Sequence, residues 1–240
     1  MTKKNNLFRI IFAAVMIALV VWVICWILIP QGEVKIDKRK YPITGIDMSG
    51  HTGKIDFDKI SKHSIDFIYL KATEGKTFVD RNFEQNYKNS RSSAIPVGFY
   101  HFFRFNRGGE EQAENFLNTI NGKKTRLPLV LDVEEWKNAK VTSTKKVVTE
   151  LKIFVRLVEA RTGKRLMIYT NESSYNRFIL GNFDKNDLWI CSFSKSPNID
   201  RKWTLWQHSH EGRFEGAHGL VDINTFNGSR EEWRKYLNSR

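Results

Sequence analysis

The sequence predicts an α/β fold: an irregular TIM-like (β/α) barrel, formed by a single domain and preceded by an N-terminal transmembrane helix. Three observations support this prediction. Short apolar runs typical of strands alternate with polar stretches of helix length, which is the pattern of βα units. Eight such runs follow position 40, and eight is the number of strands in a TIM barrel. Polar side chains also recur where the runs end, which is where the functional groups of such barrels gather.

The N-terminal segment differs from the rest of the chain. Residues 10–29 are twenty consecutive uncharged and mostly apolar positions, long enough to span a bilayer as a helix. No small-x-small cleavage site follows, so we expect an uncleaved signal anchor, with a cleaved signal peptide as the alternative. Residues 1–9 would form a short basic tail, and residues 30–40 a linker to the folded domain, 41–240. Basic residues flank both ends of the apolar segment, so the charge rule for loops does not fix its orientation.

The predicted strands and helices follow from the apolar pattern. The eight strands are expected at 43–49, 66–73, 95–103, 127–134, 165–170, 188–193, 203–209 and 220–226. Helical periodicity is clearest at 80–92, 110–120 and 143–161. Connections between the last three strands are too short for long helices, so we expect the barrel to be irregular there.

The fourth predicted strand ends in acidic residues, Asp132, Glu134 and Glu135. Residues i and i+2 of a strand point to the same side, so Asp132 and Glu134 would project together, with α-carbons about 6.6 Å apart. Two carboxyl groups at such a spacing suit the cleavage of a glycosidic bond. The alternative is a strand end whose acids are solvated or cap the next helix.

Further polar residues follow other predicted strands. The first strand ends at Asp47, the second at Lys71, and the last includes Asp222. Since strand ends converge at the mouth of a barrel, these acids would meet Asp132 and Glu134 there. Three Asp and one Glu from three strands are hard to explain by structure alone.

Charge and cysteine content restrict the partners. The net charge of +13 favours a polyanion, which could be nucleic acid, an acidic cell-wall polymer or an anionic membrane surface. No nucleic-acid-binding signature is present, so we expect no nucleic-acid partner. Of the two cysteines, Cys25 lies in the apolar N-terminal segment, so an internal disulfide is not expected, and Cys191 is interpreted as a core residue.

A set of short motifs resembles a known family. The motifs are Gly-Ile-Asp-Met-Ser at 45–49, Ile-Asp-Phe at 55–57, Lys-Ala-Thr-Glu-Gly at 71–75, Pro-Val-Gly-Phe-Tyr-His-Phe at 96–102, Leu-Pro-Leu-Val-Leu-Asp-Val-Glu at 127–134, Ile-Tyr-Thr at 168–170, Trp-Gln at 206–207 and Val-Asp-Ile-Asn at 221–224. In this order they closely resemble the glycoside hydrolase family 25 lysozymes. The resemblance implies an irregular β/α barrel that cleaves the β-1,4 bond between N-acetylmuramic acid and N-acetylglucosamine in peptidoglycan.

The resemblance also implies the catalytic residues Asp47, Asp132, Glu134 and Asp222. Glu134 is expected to be the general acid, because nearby carboxylates would raise its pKa. Asp132 would orient the N-acetyl group of the substrate as the nucleophile and give net retention, or would itself be the nucleophile. Asp47 and Asp222 would hold the substrate or tune this pair. The segment 51–53 and His208 depart from the family pattern, which leaves fine substrate preference open.

Four further residues are predicted to bind the substrate. Tyr100, Tyr169 and Trp206 are candidates for sugar-facing aromatic residues, although aromatic residues on barrel strands are more often core. Lys71 is a candidate hydrogen-bond donor to the glycan. The histidines show no metal-ligand spacing, so neither a metal nor any other cofactor is expected.

Two alternative functions stay open at this level. One is a chitinase-like endo-N-acetylglucosaminidase, and the other is a non-catalytic, membrane-anchored wall-binding module. In each case the partners would be glycan strands and, through the N-terminal helix, the membrane. We expect a monomer whose catalytic domain lies outside the cytoplasm, or a secreted protein if the N-terminal segment is cleaved.

Overall fold

The computed structural model describes residues 12–13, 15–21, 33–53 and 55–239. The chain divides into two compact units, 1–32 and 33–240. In the first unit, the described residues are helical and exposed. None of the helices in the described ranges is long and apolar enough to cross a membrane. The predicted span at 10–29 lies largely outside the described residues.

The second unit contains a closed barrel of eight strands, which confirms the predicted α/β barrel but not the transmembrane helix predicted before it. Its strands are β1 (Thr44–Met48), β2 (Phe67–Glu74), β4 (Val97–Phe102), β5 (Val130–Asp132), β6 (Met167–Asn171), β7 (Asp187–Cys191), β8 (Leu205–Gly212) and β9 (Val221–Phe226). Around the barrel they follow the order β1, β2, β4, β5, β6, β7, β8, β9, and β9 pairs with β1 to close it. A short strand, β3 (Phe78–Val79), pairs only with the end of β2.

The last strand runs against its neighbours. Strands β1 to β8 of the barrel are parallel where they pair, whereas β9 is antiparallel to both β8 and β1. The beginning of β9 therefore lies at the same mouth as the C-terminal ends of the other strands. This reversal brings Asp222, the second residue of β9, to the mouth.

Alternation along the strands separates an inner core from an outer one. The inner core consists of Ile43, Phe67, Tyr69, Leu127, Val130, Met167, Tyr169, Trp189, Leu205, Phe226 and Trp233. Room for the large rings comes from glycine, because a side chain at Gly45 would overlap the Phe67 ring and one at Gly98 the Tyr69 ring. Apolar side chains thus fill the lower part of the barrel, whereas the acidic groups lie near the mouth.

Helices cover the outside of the barrel. They are α1 (Phe57–Ile60), α2 (Phe83–Ser90), α3 (Gly109–Ile120), α4 (Thr144–Thr162), α5 (Glu172–Ser174) with the following π-helix (Tyr175–Ile179), and α6 (Arg230–Asn238). Ser143 caps the N-terminus of α4, and Gly163 ends the helix in the left-handed conformation at φ 68°. Helix α6 carries Trp233. The centroid of its ring lies 5.1 Å from the ring centroid of Phe67 and 5.1 Å from that of Phe226. Trp233 therefore belongs to the inner core.

The stretch before the first strand is also ordered. The Val34 amide donates to the Phe193 carbonyl at 2.8 Å, and Val34 and Ile36 pack on the outer core. The predicted linker, 30–40, is described from residue 33 onward, and its residues Val34 and Ile36 contact the outside of the barrel.

Candidate active site

Four acidic side chains meet at the mouth of the barrel. Asp47 and Asp222 are direct neighbours in the antiparallel pairing of β1 and β9. Asp132 ends β5, opposite Phe102 of β4 and Tyr169 of β6. Glu134 follows two residues later, beyond the last strand residue. The convergence expected from the sequence is therefore present in the fold.

Asp47 and Asp222 form a pair with several hydrogen bonds. Asp47 Oδ2 accepts from the Gln207 amide at 2.9 Å and from the Asn224 amide at 2.8 Å. The two carboxyl groups are also hydrogen-bonded to each other. Burial, with the negative charge of Asp47 beside it, raises the pKa of Asp222 to about 9. At neutral pH Asp222 is thus protonated and donates to Asp47, whose charge the two amides stabilise.

Asp132 and Glu134 form a second pair with fewer partners. Asp132 Oδ1 is buried and has no hydrogen-bond partner among the described residues. Burial, and then repulsion by Glu134, raises the pKa of Asp132 well above its usual value. Burial and the charge of Asp47 raise the pKa of Glu134 to about 7. Since like charges in one buried site disfavour double ionisation, this pair holds a proton near neutral pH.

Cations at the mouth limit these shifts. Lys71 lowers the pKa of both Asp132 and Glu134, and Lys137 lowers that of Glu134. The Lys71 ammonium also donates to Glu74 Oε2 at 2.6 Å and lies 4.9 Å from the centre of the Phe102 ring. Glu74 in turn binds Arg104. Lys71 therefore sits beside the acids, but its ammonium is already engaged by Glu74.

The predicted aromatic residues divide between the two faces of the barrel wall. Tyr100 packs against the inner core. Burial is the main cause that raises the pKa of its hydroxyl, and the charges of Asp47, Asp132 and Asp222 raise it further. Tyr169 is also inside, where its hydroxyl donates to Gln207 Oε1 at 2.8 Å.

Trp206 is different, because it belongs to the outer core. It is 1% exposed, its indole donates to the Ser192 carbonyl at 2.8 Å, and its ring packs on Tyr41 and Trp203. The structure therefore does not bring Trp206 to the mouth. The strand period explains this, since inward-facing Leu205 and Gln207 flank it.

Three residues of the site were not singled out from the sequence. Gln207 and Asn224 hold Asp47, and their inward position follows from strand alternation once the register is known. Trp136 follows Glu134 by two residues and is 63% exposed, with the Lys137 ammonium 4.1 Å from the ring centre. The signal in the sequence was a tryptophan directly after two acidic residues, Glu-Glu-Trp, just beyond the end of a strand.

The loop that carries Trp136 is held in place by polar contacts. Lys137 adopts the left-handed conformation at φ 54°, and its carbonyl accepts from Arg104. The Asn138 amide donates to the carbonyls of Phe103 and Glu134, at 2.7 and 3.1 Å. Glu135 points to an ion pair with Arg177 instead of the site. A strained residue held by several bonds is typical of a functional loop.

The histidines and Cys191 lie outside this chemistry. His101 is on the outer face of β4, hydrogen-bonded to Thr73 Oγ1 at 2.7 Å, and burial lowers its pKa to about 3. His208 is buried too, with its pKa lowered to about 4. Burial raises the pKa of the Cys191 thiol to about 12, so the thiol is a poor nucleophile. Among the residues described, no group of His, Cys, Asp and Glu is arranged to hold a metal ion.

The arrangement is suited to acid-assisted substitution at a sugar carbon. Glu134, with a pKa of about 7, is protonated in part of the molecules at neutral pH and is partly exposed. Asp132 offers a buried carboxyl oxygen without a partner next to it. An acid and a second carboxylate on one edge of a cleft are what glycoside hydrolysis requires.

Comparisons with known proteins agree with this geometry. The sequence profile of the glycosyl hydrolases family 25 matches residues 46–217. The protein YegX of Escherichia coli O6:H1 strain CFT073 is 34% identical over 204 residues, 82% of this chain and 74% of that protein. Lysozyme M1 of Streptomyces globisporus is 34% identical over 202 residues, 78% of this chain and 68% of that enzyme.

A solved structure extends the likeness to the fold. The structure of a family 25 glycosyl hydrolase from Bacillus anthracis superposes with a TM-score of 0.77 at 33% identity, covering 86% of this chain and 98% of the other. The matched range contains Asp47, Asp132 and Glu134 but stops before Asp222. On the profile match and these identities, the chain belongs to the glycosyl hydrolases family 25 and is a glycoside hydrolase.

Proposed function

We propose that the chain is an N-acetylmuramidase, which hydrolyses the β-1,4 bond between N-acetylmuramic acid and N-acetylglucosamine in peptidoglycan. The observation that carries this proposal is the Asp132–Glu134 pair, with a raised pKa on Glu134 and an unpartnered buried oxygen on Asp132. The family supports the substrate class, since relatives are named lysozymes and N,O-diacetylmuramidases.

Glu134 is the general acid in this proposal. Its proton goes to the glycosidic oxygen as the bond from that oxygen to the anomeric carbon breaks, and the leaving sugar departs as an alcohol. Glu134 is then ionised and takes a proton from the water that attacks next. A pKa of about 7 suits both halves of this cycle, because the group exchanges its proton easily near neutral pH.

Asp132 acts on the N-acetyl group of the sugar. Its free Oδ1 accepts the amide N–H, so the acetyl oxygen attacks the anomeric carbon while the glycosidic bond breaks. Water then opens the resulting ring, and the two inversions give net retention. A hydrogen bond from the substrate also favours the ionised form of Asp132, which leaves the proton of the pair on Glu134. Substrate binding thereby loads the acid.

The remaining residues position these groups. Asp47, held by Gln207 and Asn224, contributes the negative charge that raises the pKa of Glu134. Tyr100 faces the acids from β4 and is proposed to contact the sugar. Lys71 is proposed to donate to the glycan with a hydrogen left after its bond to Glu74.

Product analysis on purified peptidoglycan tests the proposal. A muramidase leaves N-acetylmuramic acid at the new reducing end, whereas an endo-N-acetylglucosaminidase leaves N-acetylglucosamine, and mass spectrometry distinguishes them. Glu134→Gln is the matched control, with an expected loss of at least a hundredfold in rate. Release of only N-acetylglucosamine ends would refute the bond assignment, and full activity of Glu134→Gln would refute the acid.

The stereochemistry is tested separately. Proton NMR of the fresh reducing end should show the β-anomer first, before mutarotation. An initial α-anomer would contradict the retaining mechanism while leaving the muramidase activity intact. Trapping of a sugar ester on Asp132 would support direct attack by the carboxylate over attack by the acetyl oxygen.

We also propose that residues 10–29 anchor the enzyme in a membrane, with residues 41–240 outside the cytoplasm as the catalytic domain. The support is the length of the uncharged apolar run and the location of the proposed substrate. Membranes washed with alkaline carbonate should keep the full chain and release it in detergent. Recovery of the chain in the wash, or of a shortened chain in the medium, would contradict an uncleaved anchor.

A further inference from the structure

A second concave surface lies at the opposite end of the barrel from the acids. It is a groove of about 1200 Å³, lined by the connections that lead into β4, β5 and β6. We call it the back groove. Sites for small molecules usually measure about 300–1,000 Å³, so the back groove has room for part of a chain molecule.

The back groove is strongly basic. Six cations line it, Arg91, Lys123, Lys124, Arg126, Arg161 and Lys164, and none of its described lining residues is acidic. Lys123 pairs with Glu84 at 3.0 Å. Lys164 donates weakly to the Thr125 carbonyl at 3.4 Å. The other four side chains are exposed and form no ion pair with a described residue.

Helix ends account for only part of this charge. Helices α2, α3 and α4 end beside the back groove, at Ser90, Ile120 and Thr162. A helix C-terminus carries about half a negative charge, so three ends offset roughly one and a half of the six cations. The Lys123–Glu84 pair offsets one more. An excess of more than three positive charges therefore remains for a ligand.

The shape and lining narrow the ligand class. The lining is concave, so a flat bilayer would contact only its rim. Single-stranded nucleic acid needs aromatic faces for its bases. Of the aromatic rings that line the back groove, Phe99 is fully buried and Tyr87 packs on Phe83 and Phe99 while its hydroxyl accepts from the Lys124 amide. The lining is suited to phosphate groups without bases.

We propose that the back groove binds a flexible, base-free phosphate polymer through Arg91, Lys124, Arg126 and Arg161. Because the site lies at the far end of the barrel, a polymer bound there leaves the mouth open to glycan. This inference does not rest on the hydrolase mechanism, and it holds for the chain whatever bond the mouth cleaves.

The test uses the full chain in neutral detergent and inorganic polyphosphate as the probe. The groove variant is R91Q/K124Q/R126Q/R161Q, and the matched control K145Q/K146Q/R156Q/R213Q removes the same charge from exposed positions outside the groove. We expect the groove variant to bind at least tenfold more weakly at constant salt, and the control to stay within threefold of wild type. The slope of log affinity against log salt should fall by up to about 3, since each phosphate contact contributes roughly 0.7.

Several outcomes would overturn the proposal. Equal losses in both variants would show a general charge effect without a site, and absence of binding by the wild type would remove the site. Stronger groove-dependent binding to oligothymidylate, or to phosphatidylglycerol mixed into the detergent micelles, would show that the back groove recognises a different class of ligand. Pairwise variants, R91Q/K124Q and R126Q/R161Q, should each show part of the loss. Unchanged thermal melting and unchanged rates on peptidoglycan would confirm that the variants are folded.

Discussion

The two carboxylate pairs at the mouth lie close together but differ in their surroundings. Asp47 accepts two amide hydrogen bonds and shares a proton with Asp222. Asp132 has a buried oxygen with no partner, and Glu134 beside it has a pKa near 7. One pair is satisfied by the protein and the other is left incomplete. A buried unpaired polar oxygen costs about 1–3 kcal/mol, and in the proposed mechanism the substrate supplies the missing partner.

Of the substitutions considered, Asp132→Asn should cause the largest loss of activity, because it alters the pair that lacks hydrogen-bond partners. We expect hydrolysis to fall roughly a hundred- to a thousandfold, because the amide no longer stabilises developing positive charge or orients the acetyl group. The fold should become more stable by about 0.5–2 kcal/mol, as is common when a strained functional group is removed. Rates on peptidoglycan and thermal melting measure the two effects.

The gain in stability should grow with pH. Below the unfolded pKa of Asp132 both states are protonated, so the raised pKa adds no pH-dependent cost to the fold. As the pH rises above that value, the unfolded chain ionises while the fold retains the proton, so the wild type loses stability. The melting difference between Asp132→Asn and wild type should therefore be larger at pH 8 than at pH 4. A constant difference would contradict the raised pKa.

Gln207→Met tests the satisfied pair. It removes one amide donor from Asp47, and we expect about a tenfold loss in rate as the charge on Asp47 becomes less favourable. It also removes the acceptor of the Tyr169 hydroxyl, so Tyr169→Phe is the matched control, which loses the hydroxyl contacts to Gln207 and Cys191 but keeps both amide donors of Asp47. Kinetics of both variants should show the larger loss in Gln207→Met. Equal losses would mean that the amide to Asp47 is dispensable.

The pH dependence of kcat/KM tests whether Glu134 is the general acid. As Glu134 loses its proton above a pKa of about 7, kcat/KM should fall about tenfold per pH unit on the alkaline side. Lys137→Gln removes a charge that lowers this pKa, so the alkaline limb should move up by roughly 0.2–0.5 pH units. An unmoved limb would show that another group controls it.

Trp136→Ala should have the smallest effect. The exposed ring next to Glu134 is suited to stacking on a sugar, and its loss should raise KM about two- to tenfold with little change in kcat. Stability should change by less than about 0.5 kcal/mol, because the ring buries little surface. Leu180→Ala, at another exposed apolar position, should leave KM unchanged. An unchanged KM for Trp136→Ala would remove the ring from the substrate path.

Much of the barrel could be predicted from apolar periodicity. The eight predicted strands all exist, although the fourth extends only over Val130–Asp132 and thus ends before Glu134. Strand β3 and helices α1, α5 and α6 were not predicted. The first three are two to four residues long, and α6 is mostly polar with one buried tryptophan. Short or polar elements give little periodic signal.

The acidic residues of the candidate site were predicted from the sequence, but Gln207 and Asn224, which hydrogen-bond to Asp47, were not. Asp47, Asp132 and Glu134 follow from strand ends, whereas Asp222 reaches the mouth only because β9 runs backwards. Direction of a strand is set by tertiary packing, which periodicity does not report. The same limit explains Trp206, since a tryptophan next to a glutamine in a strand could face either way until the register is known.

Because β9, the last strand of the chain, pairs with β1, the barrel can close only late in folding. The bonds that hold Asp47 reach across 160 residues to Gln207 and 177 residues to Asn224. Contacts so distant along the chain form late, because the loop between them must first be closed. A partly synthesised chain that lacks β9 lacks Asp222 and Asn224, so Asp47 can keep only the amide of Gln207 on β8. If these residues act as proposed, we expect the chain to gain its hydrolase activity only after the last strand has joined the first.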